Sequence, residues 1–210
     1  MNRQISKLRT SEQGYNAYAS QYAKSHKHLD SFENGELIRM LPNDLSGKAI
    51  IDLGSGDGRV IGHIKKRQSL KNLDITAVDL SEEMLKIAKK NYPEIQTVQA
   101  DASTLPFPDE SVDIVIASFL IVHIRDIDKF FDEVYRVLKK GGIFLFTNIH
   151  QRHAPKLKLS QTEKIVIKSF HHMPRHVLES LDHSFFTLDQ EKIIKEEGMW
   201  INQIIKASKN

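Results

Sequence analysis

Short apolar runs alternate with longer amphipathic stretches along this chain, the sign of strands and helices taking turns around a parallel sheet. Five runs are strand candidates: "KAIIDLG" (48–54), "LDITAVD" (73–79), "IQTVQAD" (95–101), "VDIVIASF" (112–119) and "GIFLFTNI" (142–149). They are apolar throughout rather than alternating, as expected of strands covered on both faces. Between them, "GRVIGHIKKR" and "SEEMLKIAKKNY" have helical spacing. The second opens on Ser81 as its N-cap, carries Glu82 and Glu83 in its first turn and stops before Pro93. "DIDKFFDEVYRVLKKGG" predicts a further helix with Phe130, Phe131, Val134, Val137 and Leu138 on one face, running through Lys139 and Lys140 to a terminating Gly141. Residues 1–40 read as amphipathic helices, "STLPFPDES" (103–111) as a loop, and residues 185–210 as two strands around a turn at Gly198. The stretch 150–184 holds histidines at 150, 153, 171, 172, 176 and 183, and predicts only a short helix from Pro174 to about Leu181.

Composition narrows the class. At 210 residues, 40% hydrophobic and 27% charged, the chain has the make-up of one ordinary globular domain. No apolar run approaches the roughly 20 residues of a membrane helix, so no membrane span is expected. The basic opening "MNRQISKLRT" leads into polar "SEQGYN" without the apolar middle of a secretory signal, and cysteine is absent; both point to a cytoplasmic protein. The net charge of +3 is spread over segments of mixed sign, so no nucleic-acid partner is expected.

In a parallel sheet the carboxyl ends of the strands gather on one edge, where ligands bind. That edge collects Asp52 with "GSGDG" (54–58), Asp79, Asp101, Ser118 to His123, and Asn148 to His153. Glycine at 54 and 56 leaves backbone open to a ligand and permits positive φ, whereas Gly58 allows close helix packing. The dinucleotide pattern G-x-G-x-x-G would place its third glycine at 59, but Arg59 stands there. A P-loop is excluded because no Gly-Lys-Ser/Thr follows. Asp52 and Asp57 would repel a diphosphate and tolerate a zwitterion or a cation. Asp79 follows Gly54 by 25 residues, near the spacing of about 20 at which an acid ending the second strand accepts from ribose hydroxyls. Asp101 can accept from an exocyclic amine such as that of adenine, with the amide of Ala102 facing a ring nitrogen. An adenosine without phosphate fits every position.

Four segments, "IIDLGSGDGR", "AVDLSEEMLKIAKK", "QADASTLPFPDESVDIVIAS" and "VLKKGGIFLFTN", cover residues 48–149. In their order and spacing the chain resembles the class I S-adenosylmethionine-dependent methyltransferases. The likeness is strongest to the small-molecule branch with a type 11 methyltransferase domain, typified by ubiquinone and menaquinone biosynthesis enzymes. The resemblance implies an α/β, Rossmann-like, doubly wound seven-stranded sheet in three layers, mostly parallel with an antiparallel last strand. It implies a helical cap over the active site in residues 1–40 and a cofactor-binding methyltransferase domain in 41–210. It further implies S-adenosylmethionine as cofactor, S-adenosylhomocysteine as product, and methyl transfer to O, N or C of a small-molecule acceptor by direct displacement. Gly54, Ser55 and Gly56, with Asp52 beneath them, would meet the methionine part. Asp79 would hold the ribose diol, Leu80 would pack on adenine, Asp101 and Ala102 would face its edge, and Ser118 would stand near the sulfonium end. An aromatic residue from the leading helices often closes such a site; Tyr22 is the first choice for the cofactor, and Tyr15 and Tyr18 face the acceptor.

His123 lies past the fourth strand, and an imidazole with a pKa near 6.5 would suit a general base there. His150 is placed on the acceptor side. The histidine-rich stretch lacks the ligand spacing of a metal site, so no metal is expected. Alternatives are methylation of a macromolecule or of a carrier-bound acyl group, and a binding protein that keeps the cofactor pocket without turnover. Monomer and homodimer are both compatible with the chain.

Overall fold

The computed structural model describes residues 5–25, 29–33, 35–151, 153–160 and 163–210. The chain opens with β1 (Ile5–Arg9), α1 (Ser11–Ser25), α2 (Leu29–Glu33) and α3 (Glu36–Arg39). An alternating βα segment follows: β2 (Ala49–Leu53), α4 (Arg59–Arg67), β3 (Asp74–Asp79), α5 (Glu82–Asn91), β4 (Gln96–Gln99), β5 (Val112–Ala117), α6 (Ile127–Val137) and β6 (Leu138–Ile149). Last come β7 (Lys156–Lys158), β8 (Glu163–Ile167), α7 (Pro174–His183), β9 (Phe186–Glu196) and β10 (Met199–Lys209).

Seven strands form one sheet in the order β4-β3-β2-β5-β6-β10-β9. β4 through β6 pair in parallel, and β10 runs antiparallel to both β6 and β9. The strand order reverses between β2 and β5, so the crevice at their carboxyl ends is the natural ligand position. Alternate residues feed two cores, which is why these strands are apolar throughout. Ile50, Ile114, Ile116, Leu145 and Ile204 pack with Val60, Ile61, Leu85 and Ala88 of α4 and α5. Ile51, Leu53, Val115, Phe144, Phe146 and Ile205 pack with Phe130, Phe131, Val134 and Val137 of α6 and with Val177 and Leu181 of α7. In the second core the ring centroids of Phe131, Phe144 and Phe146 lie 4.5 to 5.7 Å apart. Phe130 is fully buried among them, so Phe130→Ala is expected to cost roughly 3–5 kcal/mol in a chemical-denaturation experiment.

Local signals behave as their chemistry requires at several points. Ser81 caps α5, its hydroxyl accepting from Met84 N at 3.2 Å. Pro174 occupies the first turn of α7, and Gly198 turns β9 into β10 at φ 81°.

Three expectations are corrected. α6 ends at Val137, not at Gly141, because Leu138 already pairs with Val112 at the start of β6. The pairing then jumps to Ile114 with Ile143, so Gly141 and Gly142 form a bulge in β6 rather than a helix cap. A Cβ at Gly142 would meet Lys139 O at 2.7 Å. Residues 1–40 are not all helical: β1 is a strand, paired in parallel with β8. The stretch 150–184 likewise holds β7 and β8, which pair antiparallel. β1 of this small sheet, β1-β8-β7, leads directly into α1, and residues of α1 and of the segment after β6 line one cavity with the strand ends.

Candidate active site

β2 stops at Leu53 because Gly54 and Gly56 take φ of 65° and 55°, in the left-handed region that favours glycine. Gly54 N and Ser55 N donate to Val78 O at 2.8 and 3.1 Å, which ties the turn to β3. A Cβ at Gly54 would meet the Leu120 side chain at 2.8 Å, and one at Gly56 would point toward the Tyr22 ring at 3.6 Å. Gly58, the N-cap of α4, has a different role: a Cβ there would strike the Tyr92 ring at 2.7 Å, so it serves helix packing.

Asp79 ends β3 with one carboxylate oxygen accepting Gly56 N at 2.9 Å and the other accepting Ser81 N at 2.8 Å. Burial raises its pKa above the ordinary value against the pull of these donors. Asp52 lies deeper, 1% exposed, and burial pushes its carboxyl up to about 8 despite the nearby Arg59 charge. Among the described residues, its Oδ2 and the hydroxyl of Ser55 have no hydrogen-bond partner. Buried polar atoms without partners are rare in folded proteins, and these two line a small cleft with Tyr22, Asp57, Arg59, Ser118 and Phe119.

Arg59, the residue that breaks the dinucleotide pattern, organises this cleft. Its guanidinium donates to both carboxylate oxygens of Glu33 at 2.9 and 3.1 Å, to Asp30 at 2.8 Å and to Ser118 Oγ at 2.5 Å. Ser118 Oγ in turn donates to Glu33 Oε1 at 2.5 Å, so its hydroxyl is engaged within the protein. The guanidinium also lies 5.1 Å from the Phe119 ring centroid. Phe119 holds a positive φ of 56°, unusual for a bulky residue, fixed by donation of its N–H to Thr147 Oγ1 at 2.8 Å.

The cleft opens into a cavity of about 430 Å³, within the size range of cofactor sites. Tyr15, Tyr18 and Tyr22 of α1 form one wall, on successive turns of the helix. Asn16 anchors that helix to the N-terminus of α5 by accepting from the Ser81 hydroxyl at 2.6 Å. Asp79, Leu80, Asp101 and Ala102 line another side; the Asp101 carboxylate accepts from the amide and hydroxyl of Ser103 at 2.8 and 2.7 Å. Val122, His123, Ile124, His150, Pro155, Leu157 and Ile201 close the far end. There Tyr15 Oη and His123 Nε2 are 2.8 Å apart. The expected pKa near 6.5 for His123 is corrected: burial pushes it down to about 4, so the ring is neutral at pH 7. His150 stacks on Trp200 with centroids 4.5 Å apart, and His171 lies 5.1 Å from His150. Among the described residues, no group of three or more His, Cys, Asp or Glu side chains is placed to hold a metal ion.

A family model described as a methyltransferase domain matches residues 51–146. The chain is 38% identical over 118 residues to a ubiquinone/menaquinone biosynthesis C-methyltransferase of Rickettsia massiliae, covering 52% of this chain and 47% of that protein. It is 33% identical over 153 residues to the protein of the same name from Bartonella bacilliformis, covering 69% and 56%. The crystal structure of an S-adenosylmethionine-dependent methyltransferase from Mesorhizobium loti shares the fold, with a TM-score of 0.70 at 22% identity over 86% of this chain and 100% of that one. Residues 51–146 thus match a methyltransferase domain, and the chain shares the fold of an S-adenosylmethionine-dependent methyltransferase. It spans about half the length of the Rickettsia relative.

The chain brings Gly54, Gly56, Asp79, Leu80, Asp101, Ala102, Ser118, the three tyrosines, His123 and His150 to one cavity. Asp52 and Ser55 sit in the adjoining cleft. Sequence reasoning missed Glu33, which carries no signal of its own in an ordinary helical context, and read Arg59 only as a missing glycine. An arginine directly after the glycine turn, at the start of α4, was the available clue to a buried anionic partner.

Proposed function

We propose that the cavity binds S-adenosylmethionine and that the protein transfers its methyl group to a small-molecule acceptor. The observation that carries this reading is a cavity with the Asp79 carboxylate on one side that shares Tyr22, Gly54, Ser118 and Phe119 with the small cleft. On the other side stands a buried unpartnered carboxylate oxygen, Asp52 Oδ2, beside Arg59. Gly54 and Gly56 present bare backbone between them. The residues present fit the cofactor: Asp52 and Ser55 suit an ammonium, Asp79 a ribose diol, and Leu80, Asp101 and Ala102 an adenine. When bound, that group supplies an electrophilic methyl on positive sulfur.

The protein's own contribution is placement. Tyr22 stands over the glycine turn, 3.6 Å from a Cβ position at Gly56, and covers the cleft from water. Val122, Ile124, Leu157 and Ile201 shape an apolar far end that holds an acceptor against the reacting face. Holding two reactants in line can supply roughly 7–11 kcal/mol in ideal cases. The bacterial relatives are C-methyltransferases of ubiquinone and menaquinone biosynthesis, which supports a small organic acceptor. Among the described residues no helix is long and apolar enough to cross a membrane, and the lack of cysteine supports a reducing, cytoplasmic setting.

Calorimetry with S-adenosylhomocysteine tests the reading. Asp52 holds a proton up to a pH of about 8 in the free protein, whereas an ammonium beside it favours the carboxylate. Binding at pH 7 is therefore expected to release close to one proton, seen as a heat that varies with the buffer's ionisation enthalpy. Asp52→Asn should abolish that variation. Labelled S-adenosylmethionine with fractionated cell extract should then put label into small molecules; binding with no transfer to any fraction would instead support a non-catalytic binder.

A further inference from the structure

At the far end of the cavity, the hydrogen bonds fix which way a proton points. His123 Nδ1 faces the carbonyl oxygen of Lys168 at 3.4 Å, and two lone pairs cannot face each other, so Nδ1 carries the ring proton. Nε2 is then bare and accepts from Tyr15 Oη at 2.8 Å. The Tyr15 proton is thereby committed to His123, and the remaining lone pair of Tyr15 Oη can only accept. Burial keeps the imidazole neutral at pH 7, which preserves this arrangement. The rest of the wall agrees in sign: it holds Asp79 and Asp101, and among the described residues no lysine or arginine lines the main cavity.

Resting on the methyl-transfer reading above, we infer that Tyr15 Oη, held by His123 as a pure hydrogen-bond acceptor, selects a neutral or cationic methyl acceptor bearing an O–H or N–H and rejects anionic ones. Tyr15 is the residue that contacts the acceptor. His123 is a positioning residue that acts through it. A carboxylate or phosphate at this end would meet an oxygen with no proton to give and no cation to balance its charge. A hydroxyl or an amine finds a partner already aimed.

The test uses flat apolar probes of nearly one shape, β-naphthol, its methyl ether and β-naphthoate, titrated into the protein saturated with S-adenosylhomocysteine. β-Naphthol is expected to bind roughly 3- to 10-fold more tightly than its ether, the worth of one hydrogen bond, and β-naphthoate at least tenfold more weakly than the ether. Tyr15→Phe, again saturated with S-adenosylhomocysteine, should equalise β-naphthol and the ether. His123→Leu frees the Tyr15 proton to donate, so the ether should gain affinity while β-naphthol does not; a merely structural role for His123 would shift all probes together. The inference is overturned if β-naphthol fails to bind, if the ether or β-naphthoate binds the wild-type protein as tightly, or if Tyr15→Phe leaves the probe ranking intact. Failure of S-adenosylhomocysteine itself to bind would instead overturn the methyl-transfer reading, and the same ranking on the free protein would still test Tyr15.

Discussion

Asp79→Ala is expected to weaken S-adenosylhomocysteine binding roughly 10- to 150-fold, from the loss of one charge-assisted hydrogen bond at about 1.5–3 kcal/mol. The carboxylate has about four lone-pair sites. Three are engaged by the backbone amides of Gly56, Leu80 and Ser81, which leaves one for a hydroxyl of a diol. Asp79→Asn separates the two roles. Its single carbonyl oxygen can keep one backbone amide, so it should retain more thermal stability than the alanine variant and still lose most of the affinity. Protonation has the same effect as amidation. Because burial raises this carboxyl above its ordinary range, affinity should begin to fall at a higher pH on acidification than an exposed aspartate would impose. An Asp79→Ala protein that bound S-adenosylhomocysteine within threefold of wild type would remove Asp79 from the site.

Arg59→Met is expected to destabilise the protein by about 3–5 kcal/mol, because it strands a buried carboxylate. Glu33 and Arg59 have side chains only 3% and 10% exposed, so solvent cannot replace the lost partner. For a chain of this size the melting temperature should fall by roughly 6–20 °C. Glu33→Met added to Arg59→Met should recover most of the loss, since replacing both ions leaves no charge unpaired. Arg59→Lys should lie between, keeping a charge but not the fork that spans both oxygens of Glu33. Calorimetric melts of the wild type, Arg59→Met, Glu33→Met and the double variant complete the cycle. Equal melting temperatures for Arg59→Met and the double variant would show that Glu33 does not depend on Arg59.

The parallel sheet was legible because β2, β3, β5 and β6 are largely local apolar runs buried on both faces, whereas the edge strand β4, "QTVQ", is mostly exposed and was placed by its position in the alternation. The glycine turn was legible for a similar reason, since the positive φ at Gly54 and Gly56 is a property of those residues themselves. β1, "ISKLR", was not. It has no alternation of its own, its Leu8 is exposed, and it is a strand only because β8 lies beside it, more than 150 residues later. The end of α6 was misplaced because lysines before a glycine pair look like a helix terminus, whereas pairing with Val112 had already drawn Leu138 into the sheet.

By itself, then, the sequence determined the fold class, the edge of the sheet that carries ligands and the acids on that edge, all consequences of local spacing. The tertiary structure alone decided which distant groups share protons and charge. Arg59 meets Glu33 across 26 residues and Tyr15 meets His123 across 108. It also decided that His123 is neutral, because a pKa depends on how much water the folded chain removes from around the ring.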